Sequence, residues 1–301
     1  MTDLNYDGRV VIVTGAGRGL GRSHALAFAE RGALVVVNDV GVNVDGQSMA
    51  GSPAGELVDQ INGNGGTAIA DFHDVSTAIS AANIVKRAID EFGRIDVVVN
   101  NAGILIDKSF QKMSEEDLFR VMNVHLYGSF FVTQAAWPHF KERGYGRVIN
   151  TTSVAGYLGN FGQANYGSAK AALIGLTRTL AIEGQRYGIK VNAVAPGALT
   201  RMTESLVGEI GARLDPSFVS PVVVMLGHEL CPINGEVLIA AGGRVARLVV
   251  CQNEGLFFKD KIDAESLFEK MDLLLDSSNL LEVSTVADEM NLLAQMLETN
   301  G

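Results

Sequence analysis

The chain has 301 residues, a formal net charge of −10, 47% hydrophobic and 19% charged residues. That length and balance fit a globular protein of one large α/β domain plus an appendage, or of two small domains, and its negative field disfavours nucleic acid and anionic membrane surfaces. No apolar run approaches the ~20 residues of a membrane span, and the five histidines show no metal-ligand spacing such as HExxH.

Taken in order, short apolar runs alternate with longer helical patterns. Residues 9–14, 33–39, 67–71, 95–100, 146–151 and 190–195 read as buried strands, with a seventh at 236–240. Helices are expected near 19–31, 53–64, 77–92, 114–142, 164–187 and 203–213. Repeated strand–helix–strand units imply right-handed crossovers and a doubly wound, mostly parallel α/β sheet of seven strands with helices on both faces. The glycine- and serine-rich stretch 41–55 reads as a surface loop. After Gly243 the rhythm changes, with helices expected near 263–276 and 283–298. Residues 1–245 are therefore read as the nucleotide-binding and catalytic domain, and 246–301 as a helical extension, an arm or a cap. Cys231 and Cys251 form no CxxC pair and point to a reducing compartment. The polar, acidic N-terminus lacks the features of a signal peptide, so a soluble cytoplasmic protein is expected.

The first strand runs into Thr14-Gly15-Ala16-Gly17-Arg18-Gly19-Leu20-Gly21, a GxxxGxG pattern on Gly15, Gly19 and Gly21 that opens a helix. Glycines let the backbone turn sharply and approach a pyrophosphate, while the helix N-terminus offers free N–H groups to its charge. A plain tight turn is the alternative. Asp39 ends the second strand, 18 residues beyond Gly21. A carboxylate there accepts from both hydroxyls of an adenosine ribose and repels a 2′-phosphate, which favours NAD over NADP. Arg18 in the loop weighs the other way. Asp74 and Val75 follow the third strand, where Asp74 can meet an adenine amino group. Asn101, Ala102 and Gly103, after Asn100, follow the fourth, where a turn can approach the ribose with its backbone.

Tyr166 and Lys170 stand four residues apart and share a helix face. An unperturbed phenol, with a pKa of ~10, is a poor base at neutral pH. A nearby Lys170 cation is expected to favour the phenolate. Ser153 lies 13 residues before Tyr166, just past the fifth strand, where its hydroxyl can hold a substrate oxygen. No Asp–His pair at recognisable spacing activates it as a hydrolase nucleophile. Asn123, inside the long helix pattern, can hold a water behind Lys170; helix packing is its other reading.

Together with Pro196-Gly197, these residues, in order over about 8–243, resemble the short-chain dehydrogenase/reductase family. The resemblance implies a Rossmann-like fold, an Asn–Ser–Tyr–Lys tetrad, and homodimers or homotetramers built on the helices near 114–142 and 164–187. The stretches 10–39, 92–104 and 159–166 are similar to the (3R)-hydroxyacyl-CoA dehydrogenase domains of peroxisomal multifunctional enzymes type 2. This implies NAD-dependent interconversion of a (3R)-hydroxyacyl-CoA and its 3-ketoacyl-CoA, with steroid alcohols as an alternative substrate. A non-catalytic NAD(H) sensor is the alternative of another class. The hydratase and sterol-carrier domains and a peroxisomal signal are not seen, and the tail after Arg247 shows no counterpart. Arg201 and Arg213 are candidate partners for CoA phosphates, although solvated surface charge reads as well.

Overall fold

The computed structural model describes residues 4–41, 52–198, 214–259 and 261–300. The helix expected over 203–213, Arg201 and Arg213, and most of the 41–55 loop lie outside the described residues. Two compact units emerge, Met1–Arg247 and Leu248–Gly301.

The first unit is built on strands whose side chains are nearly all buried: β1 (Val10–Thr14), β2 (Leu34–Asn38), β3 (Thr67–Asp71), β4 (Val97–Asn100), β5 (Gly146–Thr151), β6 (Ile189–Gly197) and β7 (Val237–Ala241). Their β-branched runs suit a sheet covered on both faces. Val11, Val13, Val35, Val37, Val97 and Val99 enter one core. Val10, Ile12, Val36 and Val98 enter the other. This is the period-two alternation of a strand buried on both sides. The helices α1 (Gly19–Ala29), α2 (Pro53–Gly63) and α8 (Ser220–Gly227) cover the first face. The helices α3 (Ala78–Phe92), α5 (Gly128–Arg143) and α7 (Ala164–Gly184) cover the second. α8 was not foreseen: its SPVVVMLG sequence favours a strand by propensity, yet a proline in its first turn and burial of Val222, Val223, Val224 and Leu226 make it a core helix.

Strand order is β3-β2-β1-β4-β5-β6-β7-β8. The eighth strand, β8 (Arg244–Arg247), corrects the expected seven and carries the sheet past 245. It returns antiparallel to β7 through Gly242 and Gly243, at φ 52° and 86°. That is the two-residue turn that glycines permit in a hairpin. The chain reverses direction across the sheet between β1 and β4, so a crevice opens at the C-terminal ends of those strands.

The helix expected over 114–142 is not continuous. α4 (Glu115–Met122) passes into a π turn, Asn123–Tyr127, before α5 resumes at Gly128. Gly128 donates to the Asn123 carbonyl, and a Cβ on it would lie 2.8 Å from Val75 Cγ2, so the helix presses against that loop. A short helix, α6 (Ala155–Leu158), follows β5.

The second unit is more than helical. Short strands β9 (Cys251–Asn253) and β10 (Leu280–Glu282) pair antiparallel, beside α9 (Ala264–Glu269), α10 (Met271–Leu274) and α11 (Val286–Asn300). Among the described residues, no helix is long and apolar enough to cross a membrane.

Candidate active site

Thr14 is the staple of the glycine loop. Its Oγ1 accepts from the backbone N–H of Asn101 (3.0 Å) and of Ala102 (3.1 Å). The Asn101 amide donates back to the carbonyls of Thr14 (2.9 Å) and Gly15 (3.1 Å). The loop is thereby clamped against the turn after β4. A Cβ on Gly15, at φ 60°, would lie 2.7 Å from Ala102 Cα, and one on Gly21 only 2.3 Å from the Gly15 carbonyl. Gly17, missing from the sequence reading of the site, is fixed by the same logic: a Cβ there would meet Asp39 Oδ2 at 2.9 Å. α1 starts at Gly19 with Arg18 extended before it, no side-chain cap and no acidic residue in its first turn. Its free N–H groups suit an anion.

Asp39 faces this loop. Its carboxylate accepts from the Gly17 N–H (2.9 Å) and the Gly41 N–H (2.8 Å). An ionised carboxylate has about four acceptor sites, so roughly two stay available for ribose hydroxyls. Below it, Asn38 donates to Asp71 (2.7 Å) and to the His73 carbonyl (2.8 Å), and the His73 ring meets Asp71 at 2.8 Å. Asp74 accepts from the Ser76 N–H (2.9 Å) and hydroxyl (2.7 Å).

The chemical groups gather at the other end. Ser153, after β5, hydrogen-bonds the Tyr166 phenol and accepts from the Ala155 N–H at 3.2 Å. Lys170 is buried one turn further along α7; its ammonium donates to the Thr151 carbonyl and sits 5.5 Å from the Tyr166 ring centroid. Burial lowers Lys170 to about 7. Burial raises Tyr166; the Ser153 hydrogen bond opposes this and the Asp107 charge adds to it. The sequence expectation that Lys170 acidifies the phenol is thus not what the protein alone displays. Both groups are pushed toward their neutral forms, because desolvation penalises each charge more than the pair relieves it.

One cleft joins both ends. Gly15, Arg18, Gly19, Leu20, Gly21, Asp39, Asp74, Val75, Asn101, Ala102, Gly103, Ser153, Tyr166, Lys170 and Pro196 all line it. Asn123 and Gly197 are not among its lining residues. Asn123 is half-buried at the start of the π turn, and Gly197 packs on β7, where a Cβ would lie 2.7 Å from Ala241 Cβ. Asn38, His73, Ile104, His125, Thr151 and Thr152 line the cleft and were not foreseen. Nothing in local spacing marks them, since they reach the cleft only through strand register and the π turn.

The residues present fit a dinucleotide. A side chain on Gly15, Gly17 or Gly21 would fill the cradle, the helix start beyond it is uncapped, and two buried polar atoms at the far end, His125 Nδ1 and Thr151 Oγ1, have no partner among the described residues.

The short chain dehydrogenase family model matches residues 9–209. Peroxisomal multifunctional enzyme type 2 of Mus musculus is 44% identical over 298 residues, 98% of this chain but 40% of the mouse protein. That match runs through the tail after Arg247, overturning the expectation that the tail has no counterpart. The crystal structure of a short chain dehydrogenase from Mycobacterium avium has a TM-score of 0.80 at 43% identity, covering 90% of this chain and 95% of that one. A 7α-hydroxysteroid dehydrogenase complexed with NADH and 7-oxo glycochenodeoxycholic acid has a TM-score of 0.72 at 31% identity, covering 80% of this chain and 96% of that one. The cleft is lined from Gly15 to Ala198, wholly inside the segment the family model matches, and the chain belongs to the short-chain dehydrogenase/reductase family of oxidoreductases acting on CH–OH groups.

Proposed function

We propose that this protein is an NAD-dependent dehydrogenase that interconverts a (3R)-hydroxyacyl-CoA and its 3-ketoacyl-CoA. The observation that carries the reading is the convergence of Ser153, Tyr166 and Lys170 at one end of a cleft whose other end is a glycine cradle facing Asp39. The glycine loop and Asp39 would hold NAD at one end of the cleft, and its nicotinamide would supply the hydride acceptor for the alcohol carbon. Tyr166 accepts the hydroxyl proton at its phenolate oxygen, and returns it in the reducing direction. Ser153 holds the substrate oxygen beside that phenol and stabilises its developing charge. A protonated Lys170 beside the Tyr166 ring, together with the positive charge of an oxidised nicotinamide, would favour the phenolate against the desolvation that opposes it. At the other end Asp39 binds the adenosine ribose and disfavours a 2′-phosphate, which supports NAD over NADP.

The acyl-CoA assignment is supported by the likeness to the mouse multifunctional enzyme, of which this chain spans 40%. Apolar side chains near the catalytic segments suit an acyl chain: Phe161 is 90% exposed just before Tyr166, and Leu158 and Phe110 are exposed beside it in sequence or across the Lys108–Gly162 backbone bond. A steroid alcohol is the second reading, favoured by the likeness to the 7α-hydroxysteroid dehydrogenase. Exposed Phe119, Tyr127, Phe130 and Ile182 on α4, the π turn, α5 and α7 support a homodimer or homotetramer. The free thiols Cys231 and Cys251 suit a reducing, cytoplasmic setting.

The test is NAD⁺ and NADP⁺ reduction over (3R)- and (3S)-hydroxyacyl-CoAs and steroid alcohols. Turnover of the (3R) thioester with NAD⁺ is expected. Preference for a steroid, for the (3S) thioester or for NADP⁺ overturns the corresponding part of the reading.

A further inference from the structure

His125 is a fully buried histidine that the mechanism above does not use. The π turn, with its i→i+5 bond from Gly128 to Asn123, brings its ring to the cleft. The ring stands edge-to-face against Tyr166, with centroids 5.2 Å apart and planes at 88°. Its Nε2 lies 2.8 Å from the Ile104 carbonyl and 3.2 Å from the Ile104 N–H. Ile104 directly follows the Asn101–Ala102–Gly103 turn of the nucleotide cradle. Gly103 is needed for this contact, because a Cβ there would lie 2.4 Å from His125 Cε1. The ring therefore bridges the cofactor turn and the acid/base group.

The other nitrogen is unpartnered. Nδ1 is buried and has no hydrogen-bond partner among the described residues. With Nε2 donating to the carbonyl, its shorter contact, the proton sits on Nε2, the Ile104 N–H cannot also donate to that nitrogen, and Nδ1 keeps its lone pair. A buried polar atom without a partner is costly, and the His125 residue lines the cleft. Burial and the Lys170 charge both hold the ring well below the usual histidine range, so it offers a lone pair and not a proton.

We propose that His125 is a positioning residue: it braces the Tyr166 ring edge-on, ties it through Nε2 to the backbone after the cofactor turn, and presents Nδ1 as acceptor for a hydroxyl of the bound nucleotide. The proposal rests on the dehydrogenase reading above. The groups that face the ring are Tyr166 and Lys170 from α7 and the backbone of Ile104.

The test begins without nucleotide, by NMR of protein labelled with ¹⁵N-histidine. The expected spectrum shows the His125 ring, assigned by its loss in His125→Phe and so told apart from the buried His24, as the Nε2–H tautomer that stays neutral where ordinary histidines protonate. An Nδ1–H tautomer, or titration at ordinary histidine values, overturns the brace. NADH is then added, with binding followed independently by its fluorescence. The Nδ1 resonance is expected to move as it accepts a hydrogen bond, and a static resonance in NADH-saturated protein overturns the acceptor role. His125→Phe keeps the ring edge and removes both nitrogens. Its kcat is expected to fall about tenfold and its NADH Kd to rise several-fold, with substrate KM within about twofold. A lowered Tm with unchanged kcat and NADH Kd means a purely structural ring and overturns the proposal. Failure of the wild-type protein to bind NADH would sink the proposed function, and the tautomer in the nucleotide-free protein would still decide the brace.

Discussion

The two ends of the cleft are built on opposite principles. At the glycine-loop end polar atoms are paired with backbone: Thr14 with Asn101 and Ala102, Asp39 with Gly17 and Gly41, Asp74 with Ser76. At the end holding Ser153, Tyr166 and Lys170 a lysine is buried, a phenol is desolvated, and His125 Nδ1 and Thr151 Oγ1 are buried without partners among the described residues. The first end is a rigid mould whose shape is satisfied before a ligand arrives. The second is held in a costly state that a ligand relieves, as expected where burial tunes titratable groups for chemistry.

The comparison breaks most sharply at Tyr166. Tyr166→Phe is expected to lower kcat by about 10³–10⁴ while NADH Kd changes less than about threefold. Substantial residual turnover would remove the phenol from acid/base work. Lys170→Met comes next, with kcat down about 10²–10³ and stability raised. The ordinary lysine value is 10.5 and the folded value is about 7. The cost of burying the cation is therefore full below about pH 7 and fades as pH rises to about 10.5, above which neither state is charged. Thermal unfolding should show the variant a few degrees, about 2–4 °C, above wild type near pH 6, with the gap closing toward pH 10. A lower Tm at pH 6 contradicts a strained lysine.

At the mould end the expectation reverses. Gly21→Ala places a Cβ 2.3 Å from the Gly15 carbonyl, so the loop must shift. NADH Kd should rise by roughly 30-fold or more, with kcat at saturating nucleotide nearly kept. A loss confined to kcat would show the two ends to be inseparable. The smallest effect is electrostatic. Asp107 raises Tyr166, so Asp107→Asn should lower it and move the rising, acid-side limb of the oxidation profile toward lower pH. Activity at pH 7 should then rise by up to about twofold, since Asp107 is exposed and its field is screened.

The catalytic trio and the glycine loop could be read from the chain because their spacing is local. Tyr166 and Lys170 share a helix face at four-residue spacing, and Gly15 to Gly21 join a strand to a helix over a single turn. Thr14, Gly17 and His125 escaped for the opposite reason. Thr14 looked like the last residue of a strand, and its role appears only when β4 lies beside β1. His125 carried no signal beyond its place in the 114–142 helix pattern, and the π turn brings it to the cleft. The same turn leaves Asn123 off the lining, where unbroken helical periodicity had not separated the two.

The amino-acid pattern determined the doubly wound sheet, the glycine loop between β1 and α1 and the shared helix face of Tyr166 and Lys170, because periodicity and short-range spacing act within a few residues. Only the tertiary structure decided which buried groups keep their charge, which polar atoms stay unpartnered and how the β7–β8 hairpin extends the sheet. Those properties depend on what packs against a side chain from distant parts of the chain, and desolvation has no signature along the sequence.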